Sequence, residues 1–487
     1  MKMLVGGEWS EGSSGEWIEV DNPATGEIID RVPNASVEDV RRAVDIANDA
    51  RKTAEETPAY KRASLLQRVA TLLQERSDTF ARLISAEAGK PIRDAEIEVR
   101  RAIGVFVIAA EESKRLYGEV LPTDAYEYPA KSETRFAFSV REPIGVVVAI
   151  APFNFPLNLM SHKVAPALAG GNVVIAKPTS ETPLSTIKLG ELVTEAGCPP
   201  GVFNVVTGPG STVGTELIEN PKTNYITFTG STAAGLQIAG KAARLGKKLT
   251  LETGGMDPFI ILDDADLNLA ADAALRGCFS YAGQVCIASK RFLVIDSVAD
   301  NFSKMLTERV SKLKVGNPLD RTTDIGPVIN SEAVKRIHKI VIDAKGDGAQ
   351  ILIGGTPLTQ GEFAKGSYYA PTVLDNVRPE SSVAQDEPFA PLAPILRTRS
   401  YDEAIEIANS TMYGLQASIF TRNVGRALKL ARRIRAGAVL IDDPTNIRWD
   451  NMPFGGVKKS GMGREGVRYA IQEMTESKLI SVNLANF

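Results

Sequence analysis

The chain has 487 residues, 44% hydrophobic and 24% charged, with a formal net charge of -3. At roughly 150 residues per domain, this length exceeds one compact core and predicts two or three domains. The near-neutral balance argues against an electrostatic nucleic-acid surface, and no basic run reads as a membrane patch.

The first residues, MKMLVGGEW, lack the apolar stretch of a signal peptide. No run of about 18 uncharged apolar residues predicts a transmembrane helix. The three cysteines, Cys198, Cys278 and Cys286, are odd in number and lack CxxC spacing. That pattern argues against a disulfide framework and against a structural zinc site, and it makes a reducing cytoplasm the expected compartment. With two histidines, His162 and His338, no metal centre is expected.

In chain order, Asp21-Asn22-Pro23 marks a turn, after which the chain reads helical. Ser36-Val37-Glu38-Asp39 resembles a helix N-cap, and Val37 to Ala54 has helical periodicity. Two more helical stretches run from about Pro58 to Ala88 and from Ile92 to Leu116. Residues 118 to 142 alternate like a strand, as in Thr134-Arg135-Phe136-Ala137-Phe138, and predict an arm leaving the main body. Uncharged apolar runs then alternate with helical segments: Val146 to Ile150, Val173 to Ala176, Val202 to Val206 and Tyr225 to Phe228. Such runs predict a parallel sheet covered on both faces, with ligands at the carboxyl ends of its strands. A second series after Glu252 includes Phe292 to Ile295, Ala349 to Ile353 and Ala417 to Phe420, and Lys478 to Val482 reads as a final strand. The expected fold class is α/β.

Cys286 follows Gly283-Gln284-Val285 at what reads as a loop or helix start. A free cysteine is usually a small buried hydrophobe, but a helix N-terminus would lower the thiol pKa and produce a reactive thiolate. Cys278, between Arg276 and Phe279, reads as core. Glu252 ends an apolar strand before Thr253-Gly254-Gly255; it is either a solvated strand end or a general base at the sheet edge. Asn154, in Pro152-Phe153-Asn154-Phe155-Pro156, either satisfies a turn or aims its amide as an oxyanion donor. Such a donor is worth roughly 2.7–4 kcal/mol. Two glycine patterns compete for a dinucleotide. Gly208-Pro209-Gly210-Ser211-Thr212-Val213-Gly214 is one residue too long for GxGxxG. Phe228-Thr229-Gly230-Ser231 follows a strand and opens a helix, which makes it the better cradle for a pyrophosphate.

Seven motifs in order resemble the aldehyde dehydrogenase superfamily along almost the whole chain. They are PFNFP at 152–156, KPTSETP at 177–183, FTGSTAAG at 228–235, LETGG at 251–255, GQVC at 283–286, EPFAP at 387–391 and PFGGVKKSGMGRE at 453–465. The archaeal lactaldehyde dehydrogenase-like branch is the nearest in appearance. The resemblance implies two parallel-sheet Rossmann-like domains plus a β oligomerisation arm. Residues 1–117 and 143–251 would bind NAD(P), residues 252–440 would carry the nucleophile, and residues 118–142 and 466–487 would form the arm and tail.

The resemblance further implies a Cys286 nucleophile and an oxyanion site made by Asn154 and the Cys286 N–H. Glu252 would activate the deacylating water, with Lys163 and Glu465 as a supporting proton relay. For the cofactor it implies Lys177 at the adenosine ribose, Gly230 and Ser231 at the pyrophosphate, and Glu387 with Phe389 at the nicotinamide ribose. Ile150, Pro152, Gly210 and Thr253 are expected beside them. Ser180 stands where NAD-preferring relatives often carry Glu, so NADP+ is expected to be accepted as well as NAD+; Glu181 leaves the preference open. Phe155, Val285 and Arg448 are the candidate substrate contacts. Val285 stands where enzymes oxidising glyceraldehyde 3-phosphate without phosphorylation tend to carry Arg. Arg448 favours a polar or hydroxylated aldehyde, or else forms a salt bridge with Asp450. The expected reaction is oxidation of a small aldehyde through a Cys286 thioester, by a homodimer or homotetramer. The alternatives are a semialdehyde or glyceraldehyde-3-phosphate dehydrogenase of the same superfamily, a cysteine esterase, or a nucleotide-binding structural protein.

Overall fold

Runs of Val, Ile and Ala too apolar to face water form the strands at the centre of two sheets. The computed structural model describes residues 1–127 and 132–486. In the first sheet the strands lie in the order 8–10, 3–5, 203–205, 173–178, 146–151, 225–229, 248–252 and 461–462. The strands from 203–205 to 248–252 are parallel, and antiparallel pairs close both edges. In the second sheet the order is 350–353, 372–375, 392–398, 291–295, 258–261, 416–420 and 438–441. It is parallel except for its first pair. Each sheet has its own apolar core.

The strand Val146–Ala151 positions the site. The chain leaves it toward 173–178 on one side and later returns to 225–229 on its other side. The strand order reverses there, opening a crevice at the carboxyl ends of 146–151 and 225–229. Ser231 caps the following helix, Thr232–Arg244, by accepting from the Ala234 N–H.

A third sheet pairs Thr475–Asn483 with Arg135–Pro143, and the latter with Val120–Leu121. The arm expected at 118–142 contains residues 128–131, and the tail expected at 466–487 contains Phe487; these five lie outside the described residues. The tail is not one strand. Val467–Glu473 forms a helix against Asn158–Ala169 before the strand begins.

The expected cap at Ser36 is present as a full capping box with Asp39. Other expectations need correction. The stretch from 58 to 88 divides into Ala59–Glu75 and Ser77–Ala88 at Arg76. The next helix ends at Glu112, short of Leu116. Residues 28–33, where helix was expected, form a strand paired antiparallel with 17–21. Gln350–Ile353 is an antiparallel edge strand, not a buried parallel one. Among the described residues no helix is long and apolar enough to cross a membrane.

Candidate active site

The crevice holds a cleft of about 500 Å3, within the ordinary range for small-molecule sites. Ile150, Pro152, Phe153 and Asn154 line it from the end of the first strand and the loop beyond it. Lys177, Thr179 and Glu181 line it from the next strand and loop, Phe228 to Ser231 from the capped helix start, and Cys286, Glu387 and Phe389 from the second domain. The ring of Phe153 meets that of Phe389 edge-on at 5.8 Å.

At one end the protein presents mostly backbone, with the Lys177 ammonium among it. Lys177 is 4% exposed, and its ammonium donates to the Pro178 carbonyl at 3.0 Å. Burial lowers its pKa to about 8, with Glu181 opposing. Glu387 accepts from the Gly255 N–H at 3.2 Å and pairs with Lys290 at 3.2 Å. A Cβ on Gly254 would overlap the Glu387 carboxylate where it stands, so glycine there lets that carboxylate keep its place.

At the other end lies Cys286, in a turn rather than at the start of a helix. The expected lowering by a helix dipole therefore does not operate. Burial instead pushes the partly exposed thiol up to about 12, with Lys290 the leading opposing charge. Lys290 also donates to the Cys286 carbonyl. The approach to Cys286 is strained: Tyr281 (φ 48°) and Ala282 (φ 53°) are both left-handed, followed by Gly283 (φ 69°). Each non-glycine residue there costs on the order of 1–3 kcal/mol. A Cβ on Gly283 would strike the Ala390 carbonyl. Gln284 pins the loop end, its side-chain oxygen accepting from the Ile329 N–H at 2.9 Å. Its carbonyl accepts from Asn154 Nδ2 at 2.9 Å. That bond fixes which way the Asn154 amide points, because the reverse orientation would set two oxygens against each other. Asn154 thus keeps one amide hydrogen for another acceptor, beside Cys286 on the same cleft wall.

Behind the thiol is a buried ionic network. Glu465 pairs with Lys163 at 2.7 Å and with Arg448 at 3.1 Å. Burial would raise Glu465, but Lys163 and Arg448 override it and hold it at about 2. Lys163 also donates to the Thr229 hydroxyl at 2.7 Å. Glu252 is 3% exposed, and neither carboxylate oxygen has a hydrogen-bond partner. Burial and the Glu465 charge push its pKa well above the usual range, and its charge in turn acts on the Cys286 thiol. Arg448 is tied to Glu465 and stacks on Phe454 at 3.8 Å, so the expected bridge to Asp450 is corrected. Asp450 pairs with Arg101 at 2.6 Å and His162 at 2.9 Å instead.

Of the sequence-predicted cofactor residues, Ile150, Pro152, Lys177, Gly210, Gly230, Ser231, Thr253, Glu387 and Phe389 line the cleft. Ser180 does not; its neighbours Thr179 and Glu181 do, with the Thr179 hydroxyl donating to the Glu181 carboxylate. Cys286 and Asn154 line it, whereas Glu252, Lys163 and Glu465 lie behind its wall. Val285 is buried in the core, and Phe155 faces Tyr281 outside the cleft lining. Phe228 and Thr229, part of the strand-to-helix pattern read as the pyrophosphate cradle, also line the cleft; sequence reasoning missed Arg336, which arrives from a distant helix with no local signal. Cys278 is core, its thiol donating to the Leu392 carbonyl at 3.1 Å.

The profile of the aldehyde dehydrogenase family matches residues 9–480. A lactaldehyde dehydrogenase of Methanocaldococcus jannaschii is 42% identical over 485 residues, covering 99% of this chain and all of the relative (100%). A 3-sulfolactaldehyde dehydrogenase of Priestia megaterium is 42% identical over 482 residues, covering 99% of this chain and 98% of the relative. Among solved structures, glyceraldehyde-3-phosphate dehydrogenase GapN from Methanocaldococcus jannaschii, complexed with NADP, superposes with a TM-score of 0.91 at 42% identity, covering 97% of this chain and 100% of that one. The strand order, the cleft at the strand reversal and these full-length similarities converge: the chain belongs to the aldehyde dehydrogenase family.

Proposed function

We propose that this protein oxidises a small hydroxylated aldehyde to its carboxylic acid with NAD(P)+, NADP+ being accepted. The observation that carries the reading is one cleft with Cys286 and Asn154 at one end and Lys177, Ser231 and Glu387 at the other. The cofactor fits the residues present. Lys177 is a buried ammonium whose hydrogen bond goes to a neutral carbonyl, which leaves it suited to ribose hydroxyls or a 2′-phosphate. The free N–H groups of the helix start after Ser231 suit a pyrophosphate. Gly210 has open space where a side chain would stand. When bound, the nicotinamide supplies the two-electron acceptor.

The chain's own groups do the rest. The Cys286 sulfur adds to the aldehyde carbon, giving a tetrahedral thiohemiacetal. Asn154 Nδ2 and the Cys286 N–H stabilise the oxyanion that develops. Departure of the aldehyde hydrogen as hydride, carrying both electrons of the C–H bond, leaves a thioester on Cys286. Glu252, once deprotonated, takes a proton from water, which attacks the thioester and releases the acid. Glu465 and Lys163 stand behind Glu252 as a fixed pair of charges able to relay that proton. A phosphorylated aldehyde is the weaker candidate, because Arg448 is committed to Glu465 and Val285 is apolar. A cysteine esterase lacks its base: His162 is held by Asp450 and Arg448.

On the main strands of the two sheets we assign residues 1–117 and 143–251 to the cofactor and 252–440 to the thiol, the edge strand 461–462 of the first sheet falling outside these ranges. The strands 135–143 and 475–483 expose Phe136, Leu479 and Ile480, and an exposed strand pair of this kind supports a homodimer or homotetramer. The free thiols suit a reducing cytoplasm. The test is reduced-nicotinamide absorbance with lactaldehyde, glyceraldehyde, succinate semialdehyde, an aromatic aldehyde and glyceraldehyde 3-phosphate, with each cofactor. The reading requires the hydroxylated aldehydes to give the highest kcat/KM, with measurable turnover on NADP+. A preference for the phosphorylated substrate defeats it. Light scattering that gives the monomer mass defeats the oligomer.

A further inference from the structure

Lys90 lies between the helices Ser77–Ala88 and Ile92–Glu112, outside the cleft lining, with no exposed surface (0%). Its ammonium pairs with Glu98, which is equally buried. Burying two charges is unfavourable unless further contacts satisfy them. Here those contacts run to both halves of the reacting site. The Lys90 ammonium sits 3.5 Å over the Phe155 ring and 4.7 Å from the Tyr281 ring. Glu98 Oε1 accepts from the Leu157 N–H at 3.0 Å and the Asn158 N–H at 3.1 Å. It thereby caps a helix whose own N-cap residue, Leu157, offers no side-chain bond.

Phe155 is the next residue after Asn154. Tyr281 is the first of the three left-handed residues that lead to Cys286, and its hydroxyl donates to the Ala88 carbonyl at 2.6 Å. The two segments meet through the bond from Asn154 to the Gln284 carbonyl. A left-handed tyrosine persists only where its surroundings over-determine it. The Lys90 cation and the Ala88 carbonyl hold it from one side and Phe155 from another.

We infer that Lys90 and Glu98 are positioning residues that set the register between Asn154 and Cys286, and so the geometry of oxyanion stabilisation. The inference rests on the reading of Asn154 as the oxyanion donor. Lys90 pulls on the rings flanking the two loops, and Glu98 fixes the helix start immediately after the Asn154 loop. Neither touches substrate.

Cofactor-free hydrolysis of p-nitrophenyl acetate tests this in a double-mutant cycle of Lys90→Met with Asn154→Ala. Asn154→Ala should lose roughly 100- to 1,000-fold, the usual cost of one oxyanion donor. Lys90→Met should lose at least about tenfold in kcat with KM little changed, and the double variant should be no slower than Asn154→Ala alone. A residue that merely stabilised the fold would give additive losses, and additivity overturns the inference. Full rate in Asn154→Ala overturns both the inference and the reading beneath it. If Lys90→Met does not fold, Tyr281→Leu replaces it in the cycle: it keeps the ion pair and removes one ring, and it must be equally non-additive. Glu87→Gln is the control. Glu87 is a buried carboxyl nearby whose backbone hydrogen bonds come from Leu184 and Ser185 and not from either loop. Its loss should lower the melting temperature and spare kcat; a kcat loss matching that of Lys90→Met overturns the inference by showing that any buried defect here slows the reaction.

Discussion

The two ends of the cleft are built from different materials. The cofactor end is largely backbone, a capped helix start and glycines from the strand ends of the first sheet, joined by the side chains of Lys177 and, from the second domain, Glu387 and Phe389. The thiol end is made of side chains from distant segments. Asn154, Cys286 and Glu252 are held by Gln284, Lys163, Arg448 and Glu465, and almost every one of these is buried. The first end must admit and release a large ligand, so it is open and locally encoded. The second must keep charges in a dry place, where they act strongly and where a small displacement is expensive. Substitutions should therefore be catastrophic at the thiol end and graded at the cofactor end.

The sharpest test of that contrast is Cys286→Ala. Steady-state oxidation should fall by at least roughly 10^4-fold, since no other thiol reaches the cleft, while cofactor binding followed by fluorescence stays intact. Measurable turnover in this variant would remove the proposed nucleophile. In the native protein, alkylation of Cys286 should rise about tenfold per pH unit between pH 7 and 9, because the thiol is held at about 12. A plateau in that range would mean a thiolate already formed.

Glu252→Gln should slow deacylation by roughly 10^2- to 10^4-fold, the usual range for a general base. With p-nitrophenyl acetate this appears as a burst of one nitrophenol per subunit followed by a slow phase. In the native protein the slow phase should accelerate as pH rises, since the carboxyl must first lose a proton that burial and Glu465 make it keep. A uniform loss without a burst would move Glu252 out of the deacylation step.

His162 carries the contrast into stability. Burial, with Arg448 beside it, lowers its pKa to about 4, against the raising effect of Asp450 and Glu465. The unfolded chain takes up that proton near 6.5 and the folded protein does not. Stability is therefore intact above about pH 6.5 and is lost as pH falls toward 4, by on the order of 3 kcal/mol, about a hundredfold in the folding equilibrium. Urea midpoints at a series of pH values should show this slope, and His162→Gln should flatten it. An unchanged slope in the variant would assign the acid sensitivity elsewhere.

The same contrast explains what could be read from the residues before any coordinates. Short-range signals survive as sequence: the apolar strands, the Ser36 capping box and the Gly230-Ser231 turn each depend on neighbours within a few positions. Cys286, Asn154 and Glu252 stood out because each borders a glycine-containing or proline-containing break in a regular pattern. What failed depends on long-range packing. Nothing near Cys286 says that it lies in a turn and not at a helix start, and the Ala390 carbonyl packed against Gly283 comes from about a hundred residues away. The partner of Arg448 is Glu465, 17 residues away, and not Asp450 just along the chain, which distant Arg101 and His162 claim. Lys90 and Glu98 look like ordinary helix charges until the fold buries them.

Lys177→Met probes the open end, where the smallest effect is expected. The ammonium lies at the cleft wall with a neutral carbonyl as its hydrogen-bond partner, so removing it strands no buried carboxylate and the fold should hold. A hydrogen bond from a charged donor to a ligand is worth roughly 1.5–3 kcal/mol. Cofactor KM should therefore rise roughly 10- to 100-fold, with kcat within about twofold, because a bond made equally in ground and transition states lowers KM alone. If the ammonium meets a 2′-phosphate, the loss should be larger for NADP+ than for NAD+ and should shrink as salt screens the native interaction. Equal losses for the two cofactors would place Lys177 at the shared ribose hydroxyls instead. A collapse of kcat would show that the cofactor end is as tightly coupled to the chemistry as the thiol end, and the contrast between them would not stand.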